Sequence, residues 1–219
     1  MITFSQFMFS CSTKMSREKY AYLKWKPSVK DKQSMSLLYD TIFFNPNDFI
    51  EEIEYIISNR QNILTEQRIA HLVVDKNPAA KIGRRLVDEF VDKYMIDDVL
   101  EEAVKYITEY TNEDTYNFLI DQGADPNGRM GMIFAQACKY NNILAVKLFV
   151  EKYKVDTNSR GGMPILLALR KNNIGIAKYL IEHGADIHVK QDMPIKMINA
   201  LEKDNKEGDL EWLKTYLHS

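Results

Sequence analysis

The chain has few of the residues that carry chemistry or cross-links. Two cysteines, Cys11 and Cys138, and four scattered histidines, His71, His183, His188 and His218, stand among 219 residues. That leaves no disulfide framework and no Cys-x-x-Cys or His-Glu-x-x-His metal spacing, and it points to a reducing, cytoplasmic setting. Phosphate-cradling patterns such as Gly-x-x-x-x-Gly-Lys-Ser/Thr and Gly-x-Gly-x-x-Gly are also missing. No run reaches the ~18–20 apolar residues that span a bilayer. Residues 1–11 are apolar but lack the basic start and the small-residue cleavage site of a secretory signal, and Met15 offers a second possible start. Neither charge sign dominates: 29 Lys and Arg face 31 Asp and Glu for a net charge of −2, so the whole chain carries no nucleic-acid footprint. The expectation is a protein without catalytic site, metal or cofactor.

What the chain does have is a near-repeat. Met132-Ile-Phe-Ala-Gln-Ala-Cys-Lys-Tyr-Asn-Asn-Ile143 returns 31 positions later as Met163-Pro-Ile-Leu-Leu-Ala-Leu-Arg-Lys-Asn-Asn-Ile174. Lys147 falls on Lys178 and Glu151 on Glu182, while Asp125, Asp156 and Asp186 close three successive units at spacings of 31 and 30. A period in this range marks stacked units that each bury a face on their neighbours. Gly123-Ala-Asp125 and Gly184-Ala-Asp186 each follow an apolar helical run, and a glycine just past a helix can take the left-handed conformation that closes its last turn.

With these features the chain resembles an ankyrin-repeat protein. The resemblance implies a mainly α solenoid of helix-turn-helix units joined by short β-turns, with about four units over residues 97–219. The usual Thr-Pro-Leu-His opening is degraded. Met163-Pro164-Ile165-Leu166 and Met193-Pro194-Ile195-Lys196 keep the proline, Met132-Ile133-Phe134-Ala135 has lost it, and no unit has the histidine. The Thr–His hydrogen bonds should be absent and the turns looser. The first unit ends at Asp125 with its first helix at 98–110, and the last ends in a second helix over 208–217 after about six extra residues. The short units and the abundance of Asn, Lys and Ile look similar to the ankyrin proteins of large DNA viruses, poxviral or amoebal, or of phages.

Upstream the text changes. Residues 36–96 read as helices: a capping box at Asp48–Glu51 followed by Ile53, Ile56 and Ile57, further helices at 36–44 and 65–74, and one starting at Asn77-Pro78 with Ile82, Leu86, Phe90, Val91 and Met95 on one face. They form either worn-down ankyrin pairs or a small helical cap. Residues 1–35 form a basic arm with Tyr20, Tyr22 and Trp25 interleaved, a nucleic-acid hypothesis set against the blander reading of an arm packed on its own protein or left mobile.

The chemistry that remains lies on the surface. Acidic pairs such as Asp97-Asp98 and Glu101-Glu102 read as solvated helix caps. Cys138 falls on a buried helix face. His183, just before a glycine, reads as a helix-end residue. In the implied fold, partners meet the turn tips and the exposed face of the first helix. Three places before each equivalent Met stand Arg129, Arg160 and Lys190, and seven places after it stand Lys139 and Arg170, beside Tyr140 and Lys171. These seven residues are the candidate partner-binding set on one concave surface, suited to an acidic protein partner, with Tyr140 as anchor. The implied function is a non-enzymatic binding protein that sequesters or bridges a partner, a viral protein acting on a host factor. The alternatives are a structural component of a particle and, more remotely, a nucleic-acid factor working through the arm.

Overall fold

The recurring Asn-Asn pair turns the chain back on itself. In the computed structural model, which describes residues 50, 53, 54, 57, 64–76, 78–91, 95–107, 111–201 and 208–217, the first asparagine of each pair takes a left-handed backbone, with φ 60° at Asn141 and 59° at Asn172. Asparagine tolerates that conformation better than most residues with a Cβ. The amide N–H of the second asparagine then closes the preceding helix, Asn142 donating to the Ala137 carbonyl at 3.0 Å and Asn173 to the Ala168 carbonyl at 2.9 Å. This is the six-to-one bond of a Schellman ending. The same second residue opens the following helix. Asn142 caps it outright, its side-chain oxygen accepting from Ala145 N–H at 3.0 Å.

Ten helices form among the described residues, with no strand: α1 (Glu66–Val74), α2 (Ala79–Phe90), α3 (Ile96–Ala103), α4 (Glu113–Asp121), α5 (Gly128–Lys139), α6 (Ile143–Glu151), α7 (Ser159–Arg170), α8 (Ile174–Glu182), α9 (Val189–Ala200) and α10 (Gly208–Tyr216). They alternate between two layers. α1 packs on α3, α3 on α5, α5 on α7 and α7 on α9, while in the second layer α4 packs on α6 and α8 on α10. The molecule is a mainly α repeat solenoid. Its core runs through Leu100, Tyr116, Ile133, Phe134, Phe149, Ile165 and Leu180, all fully buried. Ala137 and Ala168 have no exposed surface, so small side chains stand where α5 and α7 approach. Cys138 is buried beside them, and burial pushes its thiol well above the usual range, leaving it unreactive at neutral pH.

α5, α7 and α9 each open with a turn of the opposite hand. Arg129-Met130-Gly131, Arg160-Gly161-Gly162 and Lys190-Gln191-Asp192 all have φ between 51° and 83°, and the right-handed helix resumes at Met132, Met163 and Met193. Pro164 and Pro194 then sit in a first helical turn, where a missing N–H costs nothing. The absent Thr–His pairs are replaced by other bonds. Gly131 N–H donates to the Asn127 carbonyl at 2.8 Å and Gly162 to Asn158 at 3.0 Å. Each turn is also braced by an aspartate, Asp125, Asp156 and Asp186 accepting from the N–H two residues on, all at 2.8 Å.

Two helix boundaries differ from the sequence reading. The first helix of the first repeat is α3, ending at Ala103 instead of running over 98–110, because the Val104 carbonyl is taken by the Asn142 side chain of the next unit at 3.0 Å. α2 stops at Phe90, and its C-cap Val91 is extended (φ −95°, ψ 116°), so Val91 and Met95 do not continue its face. The helix expected at 65–74 forms as α1 with Thr65 as its N-cap, and Ile53 and Ile57 are buried. The expected helix at 36–44, the capping-box residues Asp48 and Glu51 and the basic arm lie outside the described residues.

One ending lacks its glycine. Gly123 and Gly184 close α4 and α8 at φ 104° and 87°, but after α6 the left-handed position is Lys154, φ 54°. Relieving a left-handed Cβ is worth ~1–2 kcal/mol and glycine's extra chain entropy costs ~0.5–1 kcal/mol. Lys154→Gly is therefore expected to stabilise the protein by about 0.5–1 kcal/mol, read from the urea denaturation midpoint at unchanged slope.

Candidate functional site

The turn tips form one row. Arg129, Arg160 and Lys190 share a single backbone conformation, φ 54°, 54° and 51°, and neighbouring tips are tied together, with Arg160 Nη1 donating to the Arg129 carbonyl at 3.2 Å. Further ties run beneath them. Asp97 accepts from Asp125 N–H at 2.8 Å and Asn158 from Asp186 N–H at 2.7 Å, while the Asn158 amide donates to the Gly184 carbonyl at 2.9 Å. An acceptor on one unit thus receives the N–H of an aspartate 28 residues later in the next.

The three cations are not equivalent. Arg129 is clasped by two carboxylates of α3: it pairs with Asp98, and its Nη1 lies 2.8 Å from Glu101 Oε2. Glu101 is buried, 8% exposed, and Lys105 reaches it at 3.3 Å while holding Glu102 at 2.7 Å. Burial opposes the charge on Lys105, but its hydrogen bonds and attraction to Glu102 and Glu101 outweigh this and hold the ammonium above its ordinary range. Asp97, Asp98 and Glu101 are therefore fasteners between units, a correction to their reading as solvated caps, while Glu102 is held by Lys105 of its own unit. Arg160 and Lys190 are exposed, and no described carboxylate lies within ion-pair distance of either.

The remaining candidates form a second row at the far end of the same helices. Lys139 sits 4.8 Å from the ring centre of Tyr140, which is 41% exposed, and Arg170 and Lys171 occupy the corresponding end of α7, both exposed. The eight helical residues from Met132 to Lys139 separate the two rows by ~12 Å. The seven residues therefore line two edges of the first-helix layer and do not converge on one spot.

Sequence reasoning missed the apolar company of these cations. Ile107, Ile143, Met130 and Met193 are exposed at 39–83%; Ile107 and Ile143 flank helix ends, and Met130 and Met193 stand beside the turn tips. Only burial in three dimensions separates them from the other isoleucines and methionines. The second-helix layer holds an open cleft of about 490 Å³ lined by Asn141, Lys147, Asn172, Lys178, Tyr179 and Glu182. Beside it His183 caps α8, with Nδ1 2.8 Å from the Tyr179 carbonyl and its ring stacked on Tyr179 at 3.9 Å. Glu151 accepts from the Tyr179 hydroxyl at 3.0 Å, and burial, then that bond and charge, push this phenol well above its usual range. Among the described residues no group of His, Cys, Asp and Glu is arranged to hold a metal ion, and no helix is long and apolar enough to cross a membrane.

Comparison with known proteins agrees with this geometry. A family model described as ankyrin repeats (3 copies) matches residues 103–191. Alpha-latrocrustotoxin-Lt1a of Latrodectus tredecimguttatus is 35% identical over 98 residues, which cover 41% of this chain and 7% of the toxin. The chain thus spans a small fraction of the length of that relative. No solved structure matches it. Three ankyrin repeats are recognised in the chain, over the residues where the Asn-Asn hairpins and the left-handed turns recur.

Proposed function

We propose that the chain is a non-enzymatic scaffold that binds a partner protein along the exposed edges of its first-helix layer, sequestering or bridging it. The observation that carries this reading is the helix-end row: Tyr140, an aromatic with 41% of its surface exposed, lies against Lys139, and the corresponding end of α7 carries the exposed Arg170 and Lys171. An amphipathic ring flanked by cations is the kind of group around which binding energy concentrates, and the cations favour an acidic partner surface. The short units and degraded turn motifs favour a viral protein acting on a host factor in a reducing compartment.

The test is capture from cell extract by the tagged chain, followed by quantitative mass spectrometry, with variants run in parallel. Tyr140→Ala should weaken a bound partner by ~2 kcal/mol or more, chiefly through faster dissociation. Arg170→Glu with Lys171→Glu should slow association several-fold and flatten its salt dependence, since each exposed pair contributes ~0.2–1 kcal/mol. A bound set indifferent to all three changes, in variants shown folded by circular dichroism, overturns the reading.

A further inference from the structure

The turn row already contains one completed ion-pair site. Arg129 is engaged by Asp98 and Glu101, two carboxylates at i and i+3 on a helix. One unit along, Arg160 has the same backbone conformation and its tip is tied to Arg129's carbonyl, and two units along Lys190 repeats the position. The helix preceding Arg160 offers no counterpart to the α3 acids. From Gly128 to Lys139, α5 contains no Asp or Glu, and from Ser159 to Arg170 α7 contains none either. Asp192, the nearest acid to Lys190, is turned to His188 at 2.8 Å. The first cation of the row is therefore satisfied by the chain itself, and the next two face solvent.

We propose that the turn tips from Arg160 to Lys190 dock an acidic helix of a partner protein, whose carboxylates continue along the row the engagement that α3 makes with Arg129. The geometry supports a helix. Packed helices lie ~8–10 Å apart, so the tips before α7 and α9 are spaced by about that distance. Residues i and i+7 of a helix are ~10.5 Å apart and within ~20° of one face. A helix lying along the row presents one carboxylate to Arg160 and the next to Lys190. Met130, 83% exposed, follows Arg129, and the exposed Met193 stands three residues after Lys190, so the row also offers such a helix apolar contact. Arg129 lies outside the site.

The proposal rests on the scaffold reading above but uses the other row, so the two fail separately. The probe is a designed monomeric helical peptide with glutamates at i and i+7 on one face. It is compared with an isomer of equal composition carrying them at i and i+5, and with a single-stranded oligonucleotide, by fluorescence anisotropy at low salt. The i, i+7 peptide should bind about tenfold tighter than its isomer, and Arg160→Asn with Lys190→Asn should remove that advantage. Asparagine tolerates the left-handed backbone, so the denaturation midpoint should stay in place. Arg170→Gln with Lys171→Gln should change peptide affinity by less than about twofold. Equal binding of the two peptides, tighter binding of the oligonucleotide, or loss of binding in the Arg170/Lys171 variant instead of the turn variant overturns the proposal. If those results coincide with partner capture that still depends on Tyr140, the scaffold reading survives without it.

Discussion

Asn142→Ala is expected to cost about 3 kcal/mol or more, a large share of the ~5–15 kcal/mol that holds a domain together. Asn142 is 1% exposed and uses its whole side chain. Its oxygen caps α6 through Ala145 N–H, and its amide donates to the Val104 carbonyl at 3.0 Å and the Tyr116 hydroxyl at 2.6 Å. Losing the cap alone removes ~1 kcal/mol. The larger part comes from Val104 and Tyr116, both fully buried, because each polar atom left without a partner away from water costs ~1–3 kcal/mol. Burial already pushes the Tyr116 phenol up to about 12, against a smaller opposing effect of its bond to Asn142. The comparison is Asn173→Ala. Asn173 is only half-buried and donates to the Cys138 and Lys139 carbonyls at 2.8 and 3.0 Å, with no side-chain cap bond. Lys139 is partly exposed and its carbonyl can turn to water, whereas Cys138 is fully buried, so a smaller cost of about 1–2 kcal/mol is expected there. Equal shifts of the urea midpoint for the two variants would show that burial of the network does not set its strength.

The second large effect separates backbone strain from packing with two neighbouring glycines. Gly161 and Gly162 both have left-handed backbones, φ 65° and 76°. A Cβ at Gly161 meets nothing within 4 Å, whereas at Gly162 it stands 2.6 Å from Val189 Cγ2, at the start of the next unit. Gly161→Ala should therefore cost only the left-handed penalty of ~1–2 kcal/mol. Gly162→Ala adds overpacking of a unit-to-unit contact, another ~1–3 kcal/mol. Val189→Ala in the Gly162→Ala background should recover part of the excess, since it removes the two Cγ atoms within 3.0 Å of the new Cβ. If the two single alanine variants unfold at the same denaturant concentration, the turn is not a stacking contact.

Spacing in the sequence was enough to place the repeat units and to bury Cys138, because helical period and repeat period are local signals. The division of labour inside Asn-Asn was not visible. Its first member supplies the left-handed bend, and its second closes one helix with its own N–H, opens the next and, at Asn142, reaches to a carbonyl 38 residues earlier. Pattern reading took Asp98 and Glu101 as solvated caps of their own helix, but both engage Arg129, about 30 residues on. The left-handed turns were hidden for a different reason. Arg-Met-Gly, Arg-Gly-Gly and Lys-Gln-Asp share only a cationic first residue, and glycine, the residue that favours a left-handed backbone, stands at different places in the triplet or is absent from it. The candidate cations lay at repeating positions as read, yet their distribution over two edges depends on the length of the helix between them.

The turn glycines set a rule for anyone who would lengthen this array. Gly131 and Gly162 leave bare backbone onto which Ser159 and Val189 of the following unit settle. At the corresponding place after α8 stands Asp192, left-handed at φ 61° but carrying a side chain that it turns to His188. A unit grafted behind it in the same register would land on a Cβ and a carboxylate in place of backbone. Engineered extension on this side requires Asp192→Gly first, whereas extra units inserted between Gly131 and Gly162 meet a surface already shaped to receive them.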